Sequence, residues 1–145
     1  MAKRIAKGRL GTTHLRSSST ACRQALDKLS EALEILGTGA GQSPKHMLLL
    51  DACIKRYEVL FEYSWKLLKI AVEYQGGEAP GPRPAIQEGI RYGWISDADF
   101  WALALDARNS SVHDYFGITH GEYVKIIRRF AKEMEKLLHR LSSLR

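Results

Sequence analysis

The chain has 145 residues, a formal net charge of +6 and two cysteines. A length of this order makes one domain and buries about two-thirds of its unfolded surface, so the fold needs no disulfide or metal staple. Cys22 and Cys53 show no metal-ligand spacing and fall on or beside apolar stripes, which reads as reduced core residues in a cytoplasmic protein. No apolar run approaches the ~20 residues of a membrane span and the N-terminus lacks the apolar section of a signal peptide, so no membrane partner is expected. The positive charge favours polyanionic partners without dictating the fold.

Residues 1–18 read as a basic, disordered leader: Lys3, Arg4, Lys7, Arg9 and Arg16 precede any acidic residue. A solvated tail and nucleic-acid steering both fit that composition. A helical bundle domain is expected over residues 19–145. Ser17-Ser18-Ser19-Thr20 offers several N-caps, and Cys22, Ala25, Leu26, Leu29, Ala32, Leu33 and Leu36 recur at helical spacing, which predicts a first helix from about Thr20 to Leu36.

Gly37-Thr38-Gly39-Ala40-Gly41 breaks that helix, and Ser43-Pro44 supplies a cap followed by proline at the first helical position. The second helix carries Met47, Leu50, Ile54, Tyr57, Phe61, Leu68 and Ala71 on its buried side until Gly76-Gly77. Roughly thirty residues at ~1.5 Å each give a rod of about 45 Å, a spine for the others. The aromatics within Phe61-Glu62-Tyr63-Ser64-Trp65 fit core packing better than base stacking. A breaker-rich linker, residues 78–84, precedes a short helix from Pro84 to Tyr92 closed by Gly93.

Ser96 with Asp99 fits a capping box for a helix that carries Trp101, Ala104 and Leu105 toward Arg108. Phe116-Gly117-Ile118 turns the chain, and Thr119 with Glu122 reads as a second capping box. The last helix buries Tyr123, Ile126, Ile127, Phe130, Met134, Leu137, Leu138 and Leu141. Its other face holds Lys125, Arg128, Arg129, Lys132, Lys136 and Arg140 with Glu133 and Glu135, the pattern of a solvated face. No strand pattern or repeat appears. The predicted fold is all-α: an antiparallel, up-down four-helix bundle with one additional short helix.

The chemistry gathers in Arg108-Asn109-Ser110-Ser111-Val112-His113-Asp114-Tyr115. A fixed cation, an amide, an imidazole that changes charge near neutral pH and a phenol within eight residues are a load a core avoids. Asn109 and His113 share one helix face, whereas Arg108 and His113 point about 140° apart on an ideal helix. Both act on one phosphate only if the helix ends or distorts here, or if two copies meet across a symmetry axis. Metal-free RNA cleavage needs a group to move a proton at the 2′-hydroxyl or leaving oxygen and a cation to stabilise the phosphorane, jobs that suit His113 and Arg108. The same residues also fit a C-terminal cation on a helix dipole and a turn histidine, and spacing alone leaves both readings open. The five histidines are scattered without ligand spacing and no glycine loop cradles phosphate, so no metal and no cofactor are expected.

Phe61-Glu62-Tyr63-Ser64-Trp65-Lys66-Leu67-Leu68-Lys69, then Pro82-Arg83, Trp101 and Asp106-Ala107-Arg108-Asn109 through His113 and Tyr115 resemble the nucleotidyltransferase substrate-binding branch of the HEPN superfamily. The resemblance covers Thr20 to about Leu141. It implies a helical homodimer with two Arg-x4-His elements across a shared cleft, which would meet the angular condition above. It also implies a toxin-type, metal-independent endoribonuclease with Arg108 and His113 as the catalytic pair and Asn109 as support. A cognate minimal nucleotidyltransferase, the antitoxin, would adenylylate Tyr115. The alternative the resemblance carries is a non-catalytic subunit that binds nucleotide or another substrate for a nucleotidyltransferase.

Overall fold

The computed structural model describes residues 9–38, 43–111 and 120–144. All regular structure among them is helical: α1 Arg9–Leu36, α2 Pro44–Tyr74, α3 Pro82–Arg91, α4 Ala98–Ser111 and α5 His120–Leu141, with a 3-10 turn at Ser142–Leu144. No helix among these residues is long and apolar enough to cross a membrane.

Contacts fix the directions. Arg56 of α2 reaches the carbonyl of Lys28 while Cys22 lies beside Ser64, so α1 and α2 run antiparallel. Arg23 meets Glu135 and Arg128 meets Gly37, so α1 and α5 do too. Tyr123 binds the carbonyl of Ala107 and Arg129 reaches Asp97, which sets α4 against α5. The result is the up-down arrangement of four long helices, with α3 as the short extra one.

Phe130 sits at the middle of the aromatic core. Its ring lies 5.1 Å from Trp101, 5.3 Å from Tyr57 and 5.4 Å from Phe61, the first two edge-on. Rings at such spacings and tilts contribute beyond their area. The expected stripes of α1, α4 and α5 are buried throughout, and so are Cys22 and Cys53, both free thiols. In α2, Met47 is only partly buried, and Tyr63 is 43% exposed, so that aromatic does not join the core.

Local signals set most boundaries. The Ser43 hydroxyl accepts the His46 N–H at 3.2 Å, as its place before Pro44 predicts, and Gly76 takes φ 89° after α2. The helix α3 begins at Pro82, two residues before expectation, and Gly93 with φ 78° follows it. The cap of α4 is Asp97 instead of Ser96: its Oδ1 accepts the Phe100 N–H at 3.0 Å, and the Arg129 guanidinium holds the other oxygen. The Thr119 cap lies outside the described residues.

One expectation is overturned and another is narrowed. The first helix begins at Arg9, eleven residues before Thr20. Leu15 is fully buried and extends the stripe of Cys22 and Leu26 by two turns. Burying a leucine stabilises by ~1.5–3 kcal/mol, more than the ~1 kcal/mol of an N-cap, and Thr20 turns its hydroxyl back to the Arg16 carbonyl at 3.0 Å. The charged side of α5 is also less solvated than its composition suggests. Glu133 is buried, Arg140 donates to the Trp94 carbonyl, and Arg128 donates to the carbonyls of Leu33 and Gly37 at the end of α1. A cation placed there satisfies terminal carbonyls and the helix dipole together.

Candidate functional site

The second half of α4, up to the turn that carries Arg108, is held from inside by two buried phenols. Tyr57 of α2 donates to the Ala104 carbonyl at 2.5 Å, and Tyr123 of α5 donates to the Ala107 carbonyl at 2.8 Å. Burial pushes the Tyr57 phenol well above its ordinary range; the neighbouring Tyr123 adds to this and the Arg108 cation opposes it. Tyr57 therefore stays a neutral donor at physiological pH. These two bonds fix the backbone that carries Arg108.

Arg108 leaves that turn toward α2. Its Nη2 donates to Glu62 Oε2 at 2.8 Å and its Nη1 to Asn109 Oδ1 at 3.3 Å. The other Glu62 oxygen lies 3.6 Å from Lys66 Nζ. Arg108 is 33% and Glu62 36% exposed in their side chains, so the pair sits at the rim of the bundle, reachable from solvent and only partly screened. Two cations and one carboxylate leave a net positive charge among these three groups. Asn109 is exposed beside them. Val59 and Tyr63 of α2 and Leu103 of α4 are the exposed large apolar side chains of the same two helices' middle portions.

Of the sequence-predicted residues, the structure brings together Arg108 and Asn109. His113 and Tyr115 lie outside the described residues. Glu62 and Lys66 were not foreseen as neighbours of Arg108. Their i,i+4 spacing announces a mutual pair, but nothing in the sequence links Glu62 to a residue 46 positions away. Among the described residues no three His, Cys, Asp or Glu side chains gather in a way that would hold a metal ion.

The all-helical architecture is shared with a protein of Thermus thermophilus known from its crystal structure. The two agree with a TM-score of 0.70 and 28% sequence identity, over 83% of this chain and 98% of that one. Residues 18–143 match the family described as "Nucleotidyltransferase substrate binding protein like", which has the HEPN-like fold, and the chain belongs to that family. No curated protein matches the chain.

Proposed function

We propose that this protein is the homodimeric HEPN partner of a minimal nucleotidyltransferase and cleaves RNA without a metal. The observation that carries the reading is the mounting of Arg108: a guanidinium on a helix turn tied by Tyr57 and Tyr123 and braced by Glu62, half-open to solvent. A preorganised cation of this kind stabilises a phosphorane because no reorganisation is needed as charge develops. In this reading Arg108 stabilises the phosphate, His113 moves the proton, and Asn109 supports the pair. Entry of phosphate exchanges the Glu62 carboxylate for a phosphate oxygen on Arg108, with Lys66 keeping Glu62 company. The nucleotidyltransferase restrains the activity by adenylylating Tyr115. Cleavage of single-stranded RNA in chelator by wild type and His113→Ala tests this. Activity in wild type alone is expected, and equal activity in both rejects the enzyme.

A second reading is favoured by the family's own description: a non-catalytic subunit that presents a nucleotide to the nucleotidyltransferase. The same cation then binds phosphate without cutting it. Titration with nucleotide, alone and with the partner present, decides this version, and an absence of binding in both disposes of it.

A further inference from the structure

A second polar region lies along α1, toward the opposite end of that helix from the Arg128 staple. A hollow of about 460 Å³ opens between Ser19, Thr20 and Arg23 of α1 and Glu135 and His139 of α5, closed by Ser142. A second of about 470 Å³ runs beside Thr13, Arg16, Ser17 and Gln24 and shares Thr20 with the first. We propose that the two form one track for the sugar-phosphate backbone of a single-stranded nucleic acid, read without regard to base sequence. The proposal takes from the reading above only that RNA is the polymer in question.

Helix geometry makes the track continuous. Thr13, Ser17, Thr20 and Gln24 recur at spacings of three and four, and Arg16 and Arg23, seven apart, stand about 10 Å from each other on nearly one line. Hydroxyls and guanidiniums are the side chains that hold phosphate and sugar oxygens. Among the described residues no Phe, Tyr or Trp lines either hollow and His139 is the one ring there, which favours contact with the backbone over stacking of successive bases.

Three observations favour a polymer over bare solvent. The Ser19 hydroxyl is buried in the wall, 5% exposed as a residue, and has no hydrogen-bond partner among the described residues. Four consecutive poor helix formers, Ser17 to Thr20, occupy the middle of a helix that would be stronger with alanines, by ~0.5 kcal/mol at each position. The single carboxylate that lines the track, Glu135, is engaged by Arg23 through bonds of 2.7 and 2.8 Å, Asp27 approaches the same guanidinium at 3.8 Å, and no acidic residue precedes Asp27, which leaves Arg16 as the open cation of the track. That engagement also argues against a small anion, which would have to displace Glu135 from Arg23, whereas an extended chain can gather several weak contacts along the groove.

The test is fluorescence anisotropy with a labelled 12-nucleotide single-stranded DNA of mixed sequence, which lacks the 2′-hydroxyl needed for self-cleavage. Wild type should bind at 50 mM salt and weaken steeply by 200 mM. Thr20→Glu, which sets a carboxylate where the hollows meet, should lose at least tenfold. Arg16→Gln should lose about threefold and reduce the slope of log K against log salt by about 0.7. Lys55→Gln, an exposed lysine of α2 that belongs to neither region, should stay within twofold of wild type. Arg16 is exposed and makes no side-chain bond among the described residues, so its variant keeps the test valid should Thr20→Glu melt early. Absence of wild-type binding, unchanged binding in both track variants, or an equal loss in Lys55→Gln overturns the track. RNA cleavage measured on the same preparations reports separately on the Arg108 site.

Discussion

The second half of α4, which ends in Arg108 and Asn109, and the Ser17–Thr20 turn of α1 both bring polar residues into helices that otherwise bury apolar stripes, yet the bundle treats them in opposite ways. At α4 the carbonyls of Ala104 and Ala107 are tied to the core by phenols, and Arg108 is braced against Glu62. At α1, among the described residues, the Thr20 hydroxyl bonds within its own helix and the Ser19 hydroxyl has no partner, with open space alongside. One arrangement holds a single cation in one place, as a site that stabilises a developing charge needs. The other leaves groups adaptable, as a surface that tracks a flexible backbone needs.

The contrast breaks first at Phe130, the ring on which Tyr57, Phe61 and Trp101 converge. Phe130→Ala should cost ~3–5 kcal/mol in urea unfolding and loosen the α4 end, because the cavity it leaves adjoins the ring of Tyr57. A cost under 1 kcal/mol would mean that the phenols are not anchored as described.

Alkaline pH probes the same interior. Burial pushes the Cys22 thiol from its ordinary 9.0 up to about 11, against the weaker opposing pulls of Ser64 and Arg23. Above pH 9 the unfolded chain releases a proton that the folded chain retains, so stability is intact below 9 and falls progressively toward 11, by up to about 2 kcal/mol. Tyr57 acts in the same direction at higher pH. Melting curves across pH 8–11 check this, and the Cys22→Ala chain should show a shallower decline.

Smaller effects separate the two turns. Tyr123→Phe deletes the donor to the Ala107 carbonyl and should cost about 1 kcal/mol. Ser19→Ala should do the reverse and stabilise by several tenths of a kcal/mol to about 1 kcal/mol, since it removes a buried hydroxyl with no partner and improves helix propensity. If Ser19→Ala destabilises the chain, the hydroxyl has a partner after all and the two turns are less different than they look.

Much of the fold was readable because apolar periodicity and capping chemistry agree: Ser43-Pro44 starts α2, Gly93 follows α3, and the stripe from Tyr123 to Leu141 lies inside. What failed were decisions between a local preference and a distant contact. Ser17–Thr20 has the composition of a cap, but Leu15 has somewhere to be buried, and only the tertiary structure reveals that. Asp97 wins the cap from Ser96 because Arg129 approaches from another helix. The same holds at the candidate site. Arg108 and Asn109 announce themselves by residue type, whereas Glu62 becomes relevant only when α2 and α4 pack together. The Arg128, Arg129 and Arg140 staples look in sequence like any solvated basic face, because their partners are mostly backbone carbonyls that composition cannot mark.

The central claim is that a firmly mounted guanidinium acts on RNA phosphate. Its most direct measurement is the cleavage rate of a single-stranded RNA in chelator by Arg108→Ala relative to wild type, with thermal unfolding recorded on both. The account predicts a fall of about a hundredfold or more with stability changed by no more than about 1 kcal/mol, since the Glu62 pair is partly exposed. Equal rates from two folded proteins would contradict it.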